Sequence, residues 1–597
     1  MRLKVFCSII FLLCFLHQYF GQGLDSSDFL SRLKKIALKS KITRAIYNTY
    51  LRNNKSTNEI NSYSAVDFEK YEGCIIRKIN IEVLDPYSAK LSTDSSSSVK
   101  GFFQRTVNRF HLSTKSWVIS NKLLFKKNQP LYALEISESE RALRQTGYIN
   151  DALISASETE NKDSIDVTVV VVDRWSVSIP IQIKSTTNLT VGFKNSNLFG
   201  YGQLFEQKND FDFYGQNIFS GRYFIENIDH TFISSEIFFR HNINETILGF
   251  NSQRPSFSPV LKWAGGLDLR KHYYHDKNNF SSDSANFSAN SSIYDCWIQR
   301  RITKYPRKIL KTATGITIGV RTLGKFFHNR PIHYYADDKF LRSHAVLISA
   351  GLFFQKYYKE NFIYRFGSSE DVPLGFILEI TQGFLTKELN SSKQYTSFNF
   401  RSARNICLGY LSNTFSLSCF YGKNLTNEVL LNGSIYFFSR KLILKNWIIR
   451  QFFQFNYFND INANLEKKII LRSSDLYSIP TQETPLKNKS ILNIENVFYT
   501  PYQVIGFKFA PVLLLGFGAV QKYLSESKKP LLYYSLALGI LLRNENLLNN
   551  TFQFSVGFYP LTPEGKKKYF PDRTHYQFQH KSKWIFQFKT RLRRILN

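Results

Sequence analysis

The chain has 597 residues, a formal net charge of +32 and a sequence pI near 9.7. Aromatic residues make up 16%, with 54 Phe and 34 Tyr, yet mean hydropathy is −0.25. No stretch reaches the roughly 18 apolar residues a spanning helix needs, which excludes a helical membrane protein. So much Phe at so low a hydropathy also argues against an ordinary soluble enzyme. It fits a barrel with a lipid face, a wet lumen and polar loops. The positive charge permits nucleic-acid binding by its sign. However, the basic residues are scattered along the whole chain, which suits contact with anionic lipid head groups better.

In chain order, Arg2 and Lys4 precede the apolar run Val5–Leu16, and the small residues Gly21 and Gly23 follow. That order reads as a secretory signal peptide over 1–23. Residues 24–72 form a basic leader in which Phe29, Leu33, Ile36, Ile42 and Ile46 recur at helical spacing, predicting an amphipathic helix over Ser27–Arg52. Cys74–Val83 alternates as a strand. Ser113-Thr114 is expected to cap a short helix, and after Pro130 a second helix runs to about Gln145, stopped by Gly147. Ile149–Ser157 and Ile165–Val172 follow as strands, for an order β-α-α-β-β.

From Ser176 onward the period becomes two. Ile316, Ile318 and Val320 alternate with Thr317, Gly319 and Arg321; Tyr534, Leu536 and Leu538 alternate with Ser535, Ala537 and Gly539. Phe552, Phe554 and Val556 repeat the pattern, and Trp584, Phe586 and Phe588 predict a last strand. Each run has the length of a tilted membrane-crossing strand. Allowing about 26 residues per strand and connector predicts about 16 strands. The long polar connectors Asp276–Asn290, Phe326–Phe340 and Leu471–Lys489 are expected to gather on the external side.

These residues resemble a known family. Ile75–Leu84, Val118–Asn121, Glu138-Ser139-Glu140-Arg141, Tyr148–Ala152 and Asp173-Arg174-Trp175 look like a POTRA domain of the BamA-type superfamily of outer-membrane assembly and translocation proteins. The resemblance implies a membrane all-β fold: an antiparallel transmembrane β-barrel of about 16 strands over 175–597, preceded by one α+β POTRA-like periplasmic domain over 73–174. It also implies a bacterial outer-membrane location. The family carries an Arg-Gly-aromatic loop in the lumen, locked onto an acidic residue of the wall. Here the matching places are Leu471-Arg472-Ser473-Ser474 and Leu514-Leu515-Gly516-Phe517-Gly518, so only the Arg is kept. A buried Arg472 needs another carboxylate, with Glu495, Glu370 and Asp371 as candidates; otherwise Arg472 lies in water on a flexible loop. The client-binding edge implied for the POTRA domain is Ile149, Asp151 and Leu153.

No catalytic constellation stands out, and no cofactor is expected. His272, His275 and Asp276 crowd one segment, but two histidines without a third fixed ligand are weak evidence for a metal site. A Cys407–Cys419 bridge is left open. The expected function is insertion or translocation of other proteins, with clients captured by strand addition. The expected partners are outer-membrane lipid, unfolded or exported clients and periplasmic accessory proteins, without nucleic acid. The alternatives are a passive porin or structural barrel, or a surface adhesin.

Overall fold

A computed structural model describes residues 68–86, 111–183, 188–212, 217–276, 287–304, 313–329, 341–388, 391–422, 425–461, 469–472, 475–477, 482–504, 507–523, 529–544, 552–560 and 568–572. The signal segment, the leader helix and the strand expected near Trp584 lie outside these residues.

The first unit is a module of three strands and two helices. Strand β1 (Ile75–Leu84) is followed by α1 (Ser116–Ser120), α2 (Ala133–Arg144), β2 (Ile149–Glu158) and β3 (Ser164–Asp173). The sheet order is β1-β3-β2, with β1 parallel and β2 antiparallel to β3. Strand β3 sits in the middle because it can bury a side chain at every second position: Ile165, Val167, Val169 and Val171 enter the core. They meet Ile76 and Ile154 from the flanking strands and Ile119, Ile136 and Leu143 from the helices. Ser113-Thr114 does not cap α1, whose N-cap is Lys115. The Thr114 N–H and hydroxyl instead both donate to the Asp173 carboxylate, each at 2.8 Å. A charged acceptor outcompetes the weak cap of a one-turn helix.

From Val177 to Asp572 the described strands form one antiparallel sheet that closes into a barrel. Along Ala313–Asn329, Ile316, Ile318 and Val320 are exposed while Thr317 and Arg321 are buried; Leu536 and Leu538 face out while Ser535 and Ala537 face in. The apolar set therefore faces outward and the polar set inward, the arrangement of a membrane-spanning barrel. Phe507–Lys522, a strongly apolar run, is one of these strands, and no described helix is long and apolar enough to cross a membrane.

Among the described residues the wall has more passes than the expected 16. Four strands, Gln203–Asp212, Ile218–Ile225, Ser234–His241 and Glu245–Arg254, fit between positions 203 and 254. These strands are only 8 to 10 residues long, so a uniform allowance per strand undercounts. Alternate connections share a rim in an antiparallel barrel. The connectors after Asp276, Asn329 and Ile461 fall on one rim, and the turns after Leu198, Ile225, Arg254 and Glu360 on the other. The module sits on that second rim.

Candidate functional site

The N-terminal module is clamped to the barrel mouth through α2. An amphipathic helix ordinarily buries one face, but here Ile136 and Leu143 enter the module core while Glu138, Glu140, Arg141 and Arg144 are also buried. The helix is sandwiched between its own sheet and the rim. Arg144 grips Asp371 with two hydrogen bonds, Nε to Oδ2 at 3.0 Å and Nη2 to Oδ1 at 2.5 Å, and also pairs with Glu140. Lys359 Nζ reaches Glu140 at 2.5 Å. Arg141 pairs with Glu138, donates to the Phe257 carbonyl at 2.6 Å and lies over the Tyr357 ring at 4.3 Å. Two buried arginines and the exposed Lys359 thus meet three carboxylates, which offsets the cost of burying the arginines and their partners. Burial works against the charge on Arg144, but Asp371 and Glu140 outweigh it and raise its pKa. On the opposite flank of α2, burial and the neighbouring Glu72 push Glu135 up to about 7.

The turn beside this clamp, between the strands Ser343–Glu360 and Glu370–Lys387, folds into the lumen. Ile363 and Phe366 are buried against Tyr410, Tyr436, Phe438, Phe452, Tyr499 and Val512 of the wall. Its backbone is held at both ends. The Glu370 carboxylate accepts N–H groups of Ile363, Tyr364 and Arg365 at 2.9–3.1 Å. Arg450 donates to the Asn361 carbonyl at 2.8 Å, Tyr499 to Ile363 at 3.2 Å and Lys508 to Phe366 at 2.5 Å. Phe362 takes a φ of 56°, strain that the surrounding contacts must hold in place. The turn is a plug, and its Arg365 also donates to the Asn150 carbonyl of β2 at 3.0 Å.

From the other rim, residues 469–472 and 475–477 pack against the wall from the inside. The sequence leaves its Arg472 either in a lumen lock or in water; the side chain is exposed and forms no ion pair with Glu495, Glu370 or Asp371, so the second reading holds. Its backbone is engaged instead, the N–H donating to the Asp475 carboxylate at 2.8 Å and the carbonyl accepting from the Asp475 N–H at 2.9 Å. The loop nevertheless meets the wall segment that the resemblance selects. Leu476 lies over Gly516 and Gly518: a Cβ on Gly516 would sit 2.9 Å from its Cδ2, and one on Gly518 2.7 Å from its Cδ1. Tyr559 donates to the carbonyls of Leu476 and Tyr477, and Lys489 pairs with Asp475 at 2.7 Å. Tyr477 joins the same apolar cluster as the plug. Glu495 is buried on the lumen wall without an ion partner among the described residues.

An apolar latch therefore stands where the family pattern has an ionic lock, and its test is a size swap. Gly518→Ala is expected to destabilise the barrel by about 1–3 kcal/mol through overpacking. Leu476→Ala alone is expected to cost about 2–4 kcal/mol. Combined, they should cost less than their sum, while Arg472→Ala should change little, about 0.5 kcal/mol at most. The temperature at which the compact form is lost on heat-modifiable gels reads all four. Strict additivity of the first two would mean Leu476 and Gly518 do not pack together.

The arc of lumen formed by the earlier strands is polar. Glu206 pairs with Arg222 at 2.6 Å, Asp268 with Arg270 at 2.7 Å and Asp295 with Arg321 at 2.5 Å. His272 lies here with the Tyr274 hydroxyl 3.3 Å from its Nδ1, and the side chains of His275 and Asp276 are outside the described residues. Cys407 and Cys419 are free.

Strand β2 is an edge of its sheet, with Ile149 buried and Asp151 and Leu153 half-buried. The carbonyls of Asn150 and Ala152 accept from Arg365 and Arg144, so this half of the edge is engaged by the plug and the clamp. Sequence reasoning singled out Glu370 and Asp371 but not Arg144, Glu140, Lys359 or the plug. The signal present was the pairing of Glu138 with Arg141 and Glu140 with Arg144 at helical spacing, which ordinarily marks a solvated face.

No protein-family profile and no curated protein matches the chain. Among solved structures it is similar to BamA from Haemophilus ducreyi lacking POTRA domains 1–3, at 11% identity over 83% of each chain and a TM-score of 0.36. It is also similar to CdiB from Acinetobacter baumannii, at 10% identity over 83% of this chain and 73% of that one, with a TM-score of 0.34. CdiB from Escherichia coli aligns at 10% identity over 93% and 98%, with a TM-score of 0.29.

Proposed function

We propose that this chain is an outer-membrane barrel that inserts or translocates other proteins, its N-terminal module capturing an extended client by strand addition. The observation that carries the reading is the clamp. A small α+β module is fixed over the mouth of a closed barrel by buried ion pairs, and Arg144 of that clamp together with Arg365 of the plug occupies the carbonyls of its edge strand. Releasing the clamp would free the β2 edge at Ile149, Asp151 and Leu153 and withdraw a contact from the plug. Client capture and lumen opening would then be linked. A passive porin has no need of a lumen filled from both rims.

The test is depletion of the protein in its own cell, complemented either by the native chain or by Ala156→Pro: Ala156 alternates with Ala152, whose carbonyl points away from β3, so proline there removes an outward donor of the edge strand. Depletion should lower the abundance of other barrel proteins or of exported passengers several-fold. The native chain should restore it, and the folded proline variant should not. Unchanged abundance after depletion would remove the reading.

A further inference from the structure

We infer that Trp117, Phe199 and Tyr201 form a membrane-interface anchor that seats the N-terminal module on the lipid leaflet at its rim of the barrel. The three rings are 51%, 63% and 43% exposed. They nevertheless stand together: Trp117 lies 5.8 Å from Tyr201, and Tyr201 lies 6.3 Å from Phe199. Trp117 belongs to α1 of the module, and the other two to the turn between the barrel strands Asn188–Leu198 and Gln203–Asp212.

The cluster is held in place. The Lys115 N–H donates to the Gly200 carbonyl at 3.0 Å, and Asn197 Nδ2 donates to the Thr114 hydroxyl at 2.9 Å. Gly200 has φ +78°, and a Cβ there would lie 2.5 Å from the Ser113 carbonyl oxygen, so the approach of module to turn depends on glycine. Phe199 takes a positive φ of 55°, which is unusual for a residue with a Cβ. An aromatic ring held outward at such a cost, beside two others, calls for a partner.

The occupant follows from what the turn continues. On the same two strands, Phe193 and Phe205 pair across the outer face at 6.3 Å, within the belt that faces lipid. Tyr201 precedes Phe205 by four positions. The strand begins at Gln203, so at roughly 3.3 Å per residue and a tilt near 45° its end lies about 5 Å nearer the rim than Phe205, with Tyr201 beyond it in the turn. Trp and Tyr are favoured at that depth, where an apolar ring body meets polar head groups. The exposed Lys115 beside the cluster supplies a cation for an anionic head group. One member of the barrel's aromatic girdle is thus contributed by the soluble module.

The experiment uses the full-length protein in phosphatidylcholine vesicles, with or without bromine on the upper acyl chain. The emission of the native protein minus that of Trp117→Phe isolates Trp117 among the six tryptophans. That difference should fall about twofold in brominated vesicles, as expected for a ring at the lipid boundary. Tyr201→Trp, a second variant, should add emission quenched to a similar degree, and heat-modifiable mobility checks the fold of each. Emission indifferent to bromine would overturn the anchor, whether aqueous iodide reaches the ring, as in open water, or does not, as under a protein partner.

Discussion

Asp371→Ala is expected to loosen the N-terminal module from the barrel by about 3–5 kcal/mol, the cost of breaking a buried ion pair by removing one partner. Arg144 would keep Glu140 and the Ala152 carbonyl, but the junction would hold Arg141, Arg144 and Lys359 against only two carboxylates. The buried Arg144 would then share Glu140 with the exposed Lys359 and lose its two bonds to Asp371. Arg144→Met should cost a similar amount by stranding Asp371. Arg144→Met with Asp371→Leu should cost much less than the sum, since an apolar pair of similar volume can replace a buried ion pair. The urea concentration at which protease first cuts the module away reads all three. Additive losses would show that the two residues act separately and that the clamp is not one interaction.

Excising residues 362–367 is expected to convert a nearly closed barrel into one with a large, steady conductance in a planar bilayer. Ile363 and Phe366 fill the arc of lumen lined by Tyr410, Tyr436, Phe452 and Tyr499, and nothing of comparable bulk would replace them. A milder form of the same test is Glu370→Ala. It leaves the plug's sequence intact but removes the acceptor of the N–H groups of Ile363, Tyr364 and Arg365. Each buried donor left unpaired costs about 1–3 kcal/mol. Glu370→Ala should therefore give intermittent openings, and the excision a permanent one. A shortened chain that stays silent while folded would locate the barrier elsewhere, in the Leu476 latch.

The two-residue rhythm made the wall legible because a membrane barrel must put opposite chemistries on alternate side chains. Ile316 and Thr317 show this in adjacent letters. The β-α-α-β-β order was legible for a similar reason: strand and helix periods change at clear boundaries such as Pro130 and Gly147. Pass number was not, because the four strands between Gln203 and Arg254 are only 8 to 10 residues long. The clamp was hidden because Glu138, Glu140, Arg141 and Arg144 look like an ordinary wet helix face until a second body covers them. The plug was hidden because Phe362–Phe366 reads as part of a strand, and only the trap set by Glu370 turns it inward. Arg472 misled for the opposite reason. A family pattern directed attention to its charge, while the packing in this chain is carried by Leu476, four residues on.

Arg144 and Asp371 are separated by 227 positions. Contacts so distant along the chain form late, since a long loop must close before they can meet. The clamp can therefore form only after the polypeptide between them has been laid down as wall, and it reports completion of that stretch. A newly made molecule should pass through a stage in which the module is folded and tied to the barrel only by its contacts with the early turns near Gly200 and Asn227, and protease should cut it there more readily. The interval before that cut is lost would time the construction of the first half of the barrel.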